Sequence, residues 1–214
     1  MDEKNFALRK EKMEPELEDS EFAVLDIETT GLDIKSDEII SIAIIPMTGL
    51  RIHFGMHYYA LIFTRKFPER TIKFHGICPG DLENAPTFEE IYEEICERLI
   101  DRIIVGFNVN FDICFLKEKL KKIDKTKFKE LGSKHIDIRE VERWILRRKG
   151  LPAPHSFDFL DLLNKYQIED IPRHNALSDA YLTARVFQKQ MPFLIATEIK
   201  LRDLIEISRT NRFF

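Results

Sequence analysis

A chain of 214 residues with a formal net charge of −4 is long enough for one domain with a substantial core. That charge excludes the bulk basic character on which nonspecific nucleic-acid binding relies, though not chemistry in which bound cations supply the local positive charge. Three unclustered cysteines, Cys78, Cys96 and Cys114, exclude a disulfide scaffold and a thiolate metal site. With no apolar run of about 18 residues, the sequence predicts neither a transmembrane helix nor a membrane partner.

Residues 1–20 read as a charged lead-in without the apolar stretch of a signal peptide, so the expected location is cytoplasmic. Phe22 to Ile27 is an apolar run of the buried-strand kind. Glu38 to Ile45 and about Arg51 to Ile62 are two further β-type runs, and the short gap between them, with Gly49, predicts an antiparallel hairpin. After a loop containing Pro68, Pro79 and Pro86 the period changes. Thr87 with Glu90 three residues on is a capping-box arrangement, and Ile91, Ile95, Leu99 and Ile100 follow at helical spacing. Arg102 to Phe107 reads as a fourth strand and Asn108 to Lys121 as a helix. His135 to Ile138 reads as a short fifth strand, leading into a helix that carries Val141, Ile145 and Leu146 and stops at Gly150. Ser156 is expected to cap a short helix through Tyr166, Asn175 to Gln190 to form another, and Pro192 to start a final helical segment. Strands first, then alternating helices and strands, predict an α/β layered domain with a five-stranded mixed sheet. The expected organisation is a lead-in over 1–20, the main domain over 21–190 and a C-terminal helical segment over 191–214.

Asp26 and Glu28 end the first strand. Two residues apart, they leave the same face of a strand that is otherwise apolar. Buried carboxylates are costly unless something cationic meets them, which makes a divalent-metal site the leading explanation. Asp112 stands where the fourth strand gives way to a helix, the kind of strand end at which open α/β sheets gather their sites. Asp179, among Ala176, Ala180 and Leu182, enters the penultimate helix with His174 five positions before it. The chemistry that uses such a set is phosphodiester hydrolysis with two Mg²⁺ or Mn²⁺ ions. Asp26, Glu28, Asp112 and Asp179 are the candidate ligands and His174 the candidate base for the attacking water. Taken singly, Asp112 reads as a helix-terminus acid and His174 as a surface histidine. The joint pattern overturns both readings.

Asp-x-Glu-Thr-Thr-Gly-Leu at 26–32, Gly-x-Asn-x-x-Phe-Asp at 106–112 and His-x-Ala-x-x-Asp-Ala at 174–180, in this order, resemble the DnaQ-like DEDDh 3′–5′ exonucleases, most of all the proofreading epsilon-subunit type. The resemblance runs from about Phe22 to Gln188. Phe74-His75-Gly76-Ile77 matches a further family element, and histidine five residues before the last aspartate selects the DEDDh branch. The resemblance implies a ribonuclease H-like three-layer α/β/α fold, two divalent ions, and release of 5′-mononucleotides from a 3′ end, with single-stranded DNA as the substrate and RNA as the alternative. It also implies that Thr29 and Leu32 lie along the 3′-terminal nucleotide, Leu32 against its base, that His75 supports the same pocket, and that Asn108 contacts substrate. Phe107 departs from the family, which often has histidine before the asparagine.

Gln188-Lys189-Gln190-Met191-Pro192-Phe193 resembles the sliding-clamp-binding peptide of epsilon subunits. A pattern this short also arises by chance, and the alternative is that these residues simply end a helix. The lysines between Lys117 and Lys129 read as a solvated helix face rather than a phosphate track. Trp144, flanked by Arg143, Arg147, Arg148 and Lys149, reads as a helix anchor rather than a base-stacking platform. His53, His57, His135 and His155 read as structural. A catalytically idle interaction subunit is the rival of another class, and it would lack a ligand or the base.

Overall fold

The structure, a computed structural model, describes residues 16–169, 171 and 175–209. Strand β1 (Glu21–Thr29) is free of glycine and proline and buried along most of its length, as its apolar run requires. It pairs antiparallel with β2 (Ile39–Thr48) over its whole length. The third run is broken in two: β3 (Arg51–Ile52) and β4 (Tyr58–Leu61) are separated by a 3₁₀ turn over Phe54–Met56. Both pair antiparallel with β2, at Met47–Thr48 and at Ser41–Ile44. Because β1 occupies the other edge of β2, the two short strands share one position, and six strands fill five places. The predicted hairpin is present, with Gly49 at φ +52 in its turn.

Short helices α1 (Ile72–His75) and α2 (Pro79–Leu82) cross the end of the hairpin before α3 (Phe88–Leu99). Thr87 donates its N–H to the Glu90 carboxylate at 2.7 Å, which fixes the start of α3. Strand β5 (Ile103–Gly106) joins β1 in parallel, α4 (Val109–Ile123) and α5 (Lys125–Glu130) follow, and β6 (His135–Asp137) joins β5 in parallel. Helices α6 (Ile138–Arg148), α7 (Phe159–Lys165), α8 (Ala176–Ala196) and α9 (Leu201–Arg209) complete the described chain. The sheet runs β3/β4–β2–β1–β5–β6, the predicted mixed sheet between two helical layers.

The period of two along β1 divides the core. Phe22 and Val24 pack with Val141, Ala180, Phe187, Met191 and Leu204 from α6, α8 and α9. Ala23, Leu25 and Ile27 pack on the other face with Leu99, Ile113 and Leu116 from α3 and α4. Asp26 and Glu28 continue the Phe22–Val24 side, so the strand's own alternation aims them at the layer that contains α8. The β1–β2 register slips at Glu28 and Thr29, where β2 has one residue too many. The extra residue, Ile40, packs with Ile77 and Leu82, so the bulge anchors the α1–α2 segment beside the end of β1.

Two expected boundaries move. Asp158, not Ser156, caps α7: its carboxylate accepts from Leu160 N–H at 2.9 Å, a stronger acceptor two residues nearer the helix. Pro192 does not start a segment but lies inside α8, which runs on to Ala196 and spans the 190/191 boundary. Phe187, Met191 and Leu194 keep one side of α8 in the core, while Pro192 sits on its exposed side, where the carbonyl it leaves unbonded can face water. Beyond the left-handed turn at Glu198, α9 returns to the core through Leu201, Leu204 and Ile205, each such burial contributing about 1.5–3 kcal/mol before entropy. The segment from Gln188 to Phe193 is therefore helical, with Met191 in the core and Gln190 donating to Ile138 O and Glu142. The clamp-peptide pattern is accounted for by the packing of α8.

Other features settle as structural. His53 meets the Thr48 hydroxyl, His57 the Phe54 carbonyl and His135 the Gly132 carbonyl. Arg143 holds the loop before α7 through Pro154 O and His155 O, and Trp144 packs edge-on against Phe193. Lys119 pairs with Glu38, and Lys117 lies over Phe128. Among the described residues no helix is long and apolar enough to cross a membrane.

Candidate active site

Three carboxylates converge where β1 leaves the sheet. Asp26 and Glu28 arrive from the strand, and Asp179 from the first turn of α8, which packs on that face. Each offers an oxygen such that the three lie within 4.8 Å of one another. Asn175 fixes the approach of Asp179 by capping α8, its side-chain oxygen accepting from Leu177 N–H at 3.0 Å and Ser178 N–H at 3.4 Å.

Asp112 comes round the end of the sheet from the opposite layer. The β1–β5 ladder stops at Val24 and Val105, because β5 ends at Gly106. The Ile27 N–H further along β1 is met instead by Asp112 Oδ1 at 3.1 Å. Gly106 permits this close turn: a Cβ there would stand 2.8 Å from Val109 Cβ and 3.2 Å from Leu25 O. Asp112 is buried, and its charge reaches Asp26.

The electrostatics follow from burial and crowding. Burial, then Asp112, Asp179 and Glu28, push the Asp26 carboxyl well above its ordinary range. Burial and Asp179 push Glu28 up to about 7. Burial also raises Asp112, with Asp137 and Glu28 adding to it. Among the described residues no lysine or arginine pairs with Asp26, Glu28 or Asp112. An oxygen-only donor set that repels itself fits hard divalent cations, which would remove the repulsion.

The residues expected to contact substrate fall at the end of β1, in the loop after it, at the end of α1 and at the start of α4. Thr29 and Leu32 lie at the end of β1 and in the loop after it. The Thr29 hydroxyl donates to Gly31 O at 2.7 Å, and Asp37 braces the loop by accepting from Thr30 Oγ1 and Asp33 N–H. Leu32 is 83% exposed on that braced loop. His75 is buried, its Nδ1 accepting from Ile77 N–H at 3.1 Å. Its Nε2 has no hydrogen-bond partner, and burial lowers its proton affinity so that the ring is held neutral. Asn108 precedes α4 with φ +58. His174 lies outside the described residues. Two groups not singled out in the sequence stand close: Asp137, whose charge bears on Asp112, and Tyr59, whose acidity burial lowers and whose hydroxyl faces Asn175 and Glu28.

Comparison with known proteins matches residues 23–187 to the RNase T exonuclease family. The chain is 32% identical over 179 residues to the DNA polymerase III subunit epsilon of Aquifex aeolicus, covering 83% of this chain and 84% of that protein. It is 32% identical over 203 residues to the PolC-type DNA polymerase III of Thermotoga maritima, covering 91% of this chain but only 14% of that much longer protein. Among solved structures, E. coli exonuclease I in complex with a dT13 oligonucleotide superposes with a TM-score of 0.68 at 20% identity, over 83% of this chain and 43% of that one.

Proposed function

The chain belongs to the RNase T exonuclease family, and from the phosphodiester hydrolysis that this entails we propose that it is a 3′–5′ exonuclease releasing 5′-mononucleotides from single-stranded DNA. The observation that carries this reading is the convergence of Asp26, Glu28 and Asp179 within 4.8 Å, with Asp112 tied to the same strand end. We assign these four carboxylates to two divalent cations, Mg²⁺ or Mn²⁺. Bound there, the cations would stabilise charge on the attacking and leaving oxygens.

The chain's own residues supply the rest. His174, one residue before the Asn175 cap of α8, is assigned the proton of the attacking water. Leu32 and Thr29 are assigned to the terminal nucleotide, His75 to the support of the same pocket, and Asn108 to the strand beyond. DNA is favoured over RNA because the relatives named above are a DNA polymerase III epsilon subunit and a PolC-type DNA polymerase III, and the superposed exonuclease I holds a dT13 oligonucleotide. A clamp contact through Gln188–Phe193 would require Met191 to leave the core, so no partner is assigned to that segment.

The test is incubation of the protein, with Mn²⁺ or with EDTA, on matched 5′-labelled single-stranded DNA and RNA beside the Asp26→Ala variant. A cation-dependent ladder shortening from the 3′ end and missing in the variant is the expected result, and the faster substrate decides between DNA and RNA. Intact strands in every lane would sink the reading in favour of an idle interaction subunit.

A further inference from the structure

One cluster of charged and aromatic side chains at the mouth of the site has no part in the assignments above. Arg139 lies in the first turn of α6, where a cation opposes the helix dipole and a stabilising role for the helix is unavailable. Its guanidinium is committed elsewhere. Nε and Nη2 hold the two oxygens of Asp137 at 3.1 and 2.7 Å, and Nη2 also donates to Asn108 Oδ1 at 2.7 Å. The group lies over the Phe107 ring at 5.1 Å, and that ring rests against Phe159 at 4.9 Å. Asp137 is buried and braced from α9, its N–H donating to Ser208 Oγ at 2.9 Å.

Asn108 breaks a local rule at this place. It occupies the N-cap position of α4, where an asparagine side chain ordinarily bonds the helix's first free N–H groups, yet it makes no such bond. Its amide turns to Arg139 instead, and its backbone is left-handed. A helix start that forgoes its cap is a conflict of the kind found where function overrides stability. The consequence is directional. A guanidinium has only donors, so the Asn108 atom facing it is the oxygen, and the NH₂ is turned away with two donors to offer. Asn108 is exposed and lies four residues before Asp112, at the start of the helix that carries it.

We infer that Arg139 is a positioning residue that locks the Asn108 amide with its NH₂ towards the cleft, where it donates to a phosphate oxygen of the bound strand. The inference rests on the exonuclease reading and names the donor that holds the strand at that site. Asp137 orients the guanidinium and neutralises it, so Arg139 adds no free positive charge beside the cation site. Phe107 supplies the flat surface on which it stacks, which gives a role to the residue that departs from the family pattern.

The experiment is steady-state turnover of 5′-labelled single-stranded DNA with Mn²⁺, with thermal melting in parallel, for Asn108→Asp, Asn108→Ala, Arg139→Lys and the double variant Asn108→Ala/Arg139→Lys. Asn108→Asp keeps an oxygen for Arg139 but removes the donor and adds a negative charge, so Asn108→Ala, which removes the donor without adding charge, must show the rise in KM as well. KM is expected to rise roughly tenfold or more while the melting temperature holds. Arg139→Lys keeps a charge for Asp137 but cannot fork to Asn108, and KM should rise about three- to tenfold with kcat little changed. The double variant should be no worse than Asn108→Ala alone, because both act through one hydrogen bond. Wild-type KM in Asn108→Asp would remove the donor role. A raised KM there with wild-type KM in Arg139→Lys would show that the amide needs no lock, and additive effects in the double variant would show Arg139 touching the strand itself. Absence of cation-dependent turnover in the wild-type protein would instead remove the exonuclease reading, and this inference with it.

Discussion

The carboxylates at the end of β1 and Glu142 in α6 are all drawn out of water, partly for Asp26 and Glu28 and wholly for Glu142, yet they are accommodated in opposite ways. Glu142 has no exposed surface and is fully provided for: Lys165 and the Tyr166 hydroxyl reach it from the end of α7, and Gln190 Nε2 from α8 at 3.1 Å. It ties three helices together and behaves as a structural ion pair. Asp26, Glu28 and Asp112 receive no such cation from the described residues, and the acids that crowd them raise one another's proton affinity. A buried acid with three donors is finished architecture, whereas a group of buried acids facing one another is a request for something from solution.

Removing one acid from each cluster should therefore do opposite things. Asp26→Ala deletes a proposed cation ligand, and losing several kcal/mol of transition-state stabilisation corresponds to a fall in kcat/KM of at least about 10³-fold. The cation-free fold should not suffer, because one repelling charge is gone, so its melting temperature in EDTA at pH 8 is expected to equal or exceed that of the wild type. Glu142→Gln should leave turnover per folded molecule within about twofold and cost about 1–3 kcal/mol of stability. At roughly 2–4 °C per kcal/mol for a chain of this size, that is a readily measured drop in melting temperature. A Glu142→Gln protein that melts normally but is inactive would break the contrast between the clusters.

The pH dependence sharpens the same contrast. In the cation-free protein Glu28 titrates near 7 rather than at its ordinary 4.5, and Asp26 and Asp112 shift the same way. Between those values the folded chain holds more protons than the unfolded one. Stability is therefore fully present below about pH 4.5 and is lost as pH rises through about 7. Asp33 and Glu90 shift the other way and titrate below this window, while His75, lowered by burial, opposes the slope only up to its ordinary 6.5. Melting in EDTA should fall from pH 5 to pH 8, and excess Mn²⁺ should flatten or invert that slope by displacing the protons. An EDTA slope that rises with pH would refute the crowding argument.

The sequence made the candidate acids legible because their pattern is local: two acids one strand period apart, and two more at helix starts. It made the layers legible through the period of β1 and the apolar spacing of the helices. What it hid was long-range. The split of the third strand depends on how β3 and β4 share β2, and the continuity of α8 through Pro192 depends on which side of the helix the proline faces. Gln190 and Met191 spell a peptide motif only until their burial is known. Asp137 and Arg139 look like an ordinary helix start, and only the fold brings Asn108, 31 residues away in sequence, to the same guanidinium. The Asn108–Arg139 bond leaves no trace in any single window of sequence.

The smallest effect is reserved for Leu32, which separates folding from function within one loop. A leucine that is 83% exposed contributes nothing to the core, yet its loop is held by Asp37 through Thr30 and by the tight approach of Gly31, where a Cβ would stand 2.3 Å from an Asp37 oxygen. Rigid presentation of an apolar side chain to water is wasteful unless a partner surface covers it. If a nucleobase is that surface, Leu32→Ala should raise KM by about two- to fivefold, since an exposed leucine that becomes only partly covered gains about 0.5–1 kcal/mol at roughly 25 cal/mol per Å². The melting temperature should stay within about 1 °C of wild type, because nothing buried changes. A melting shift with unaltered KM would place Leu32 in the architecture alongside Glu142 rather than beside Asp26 and Glu28.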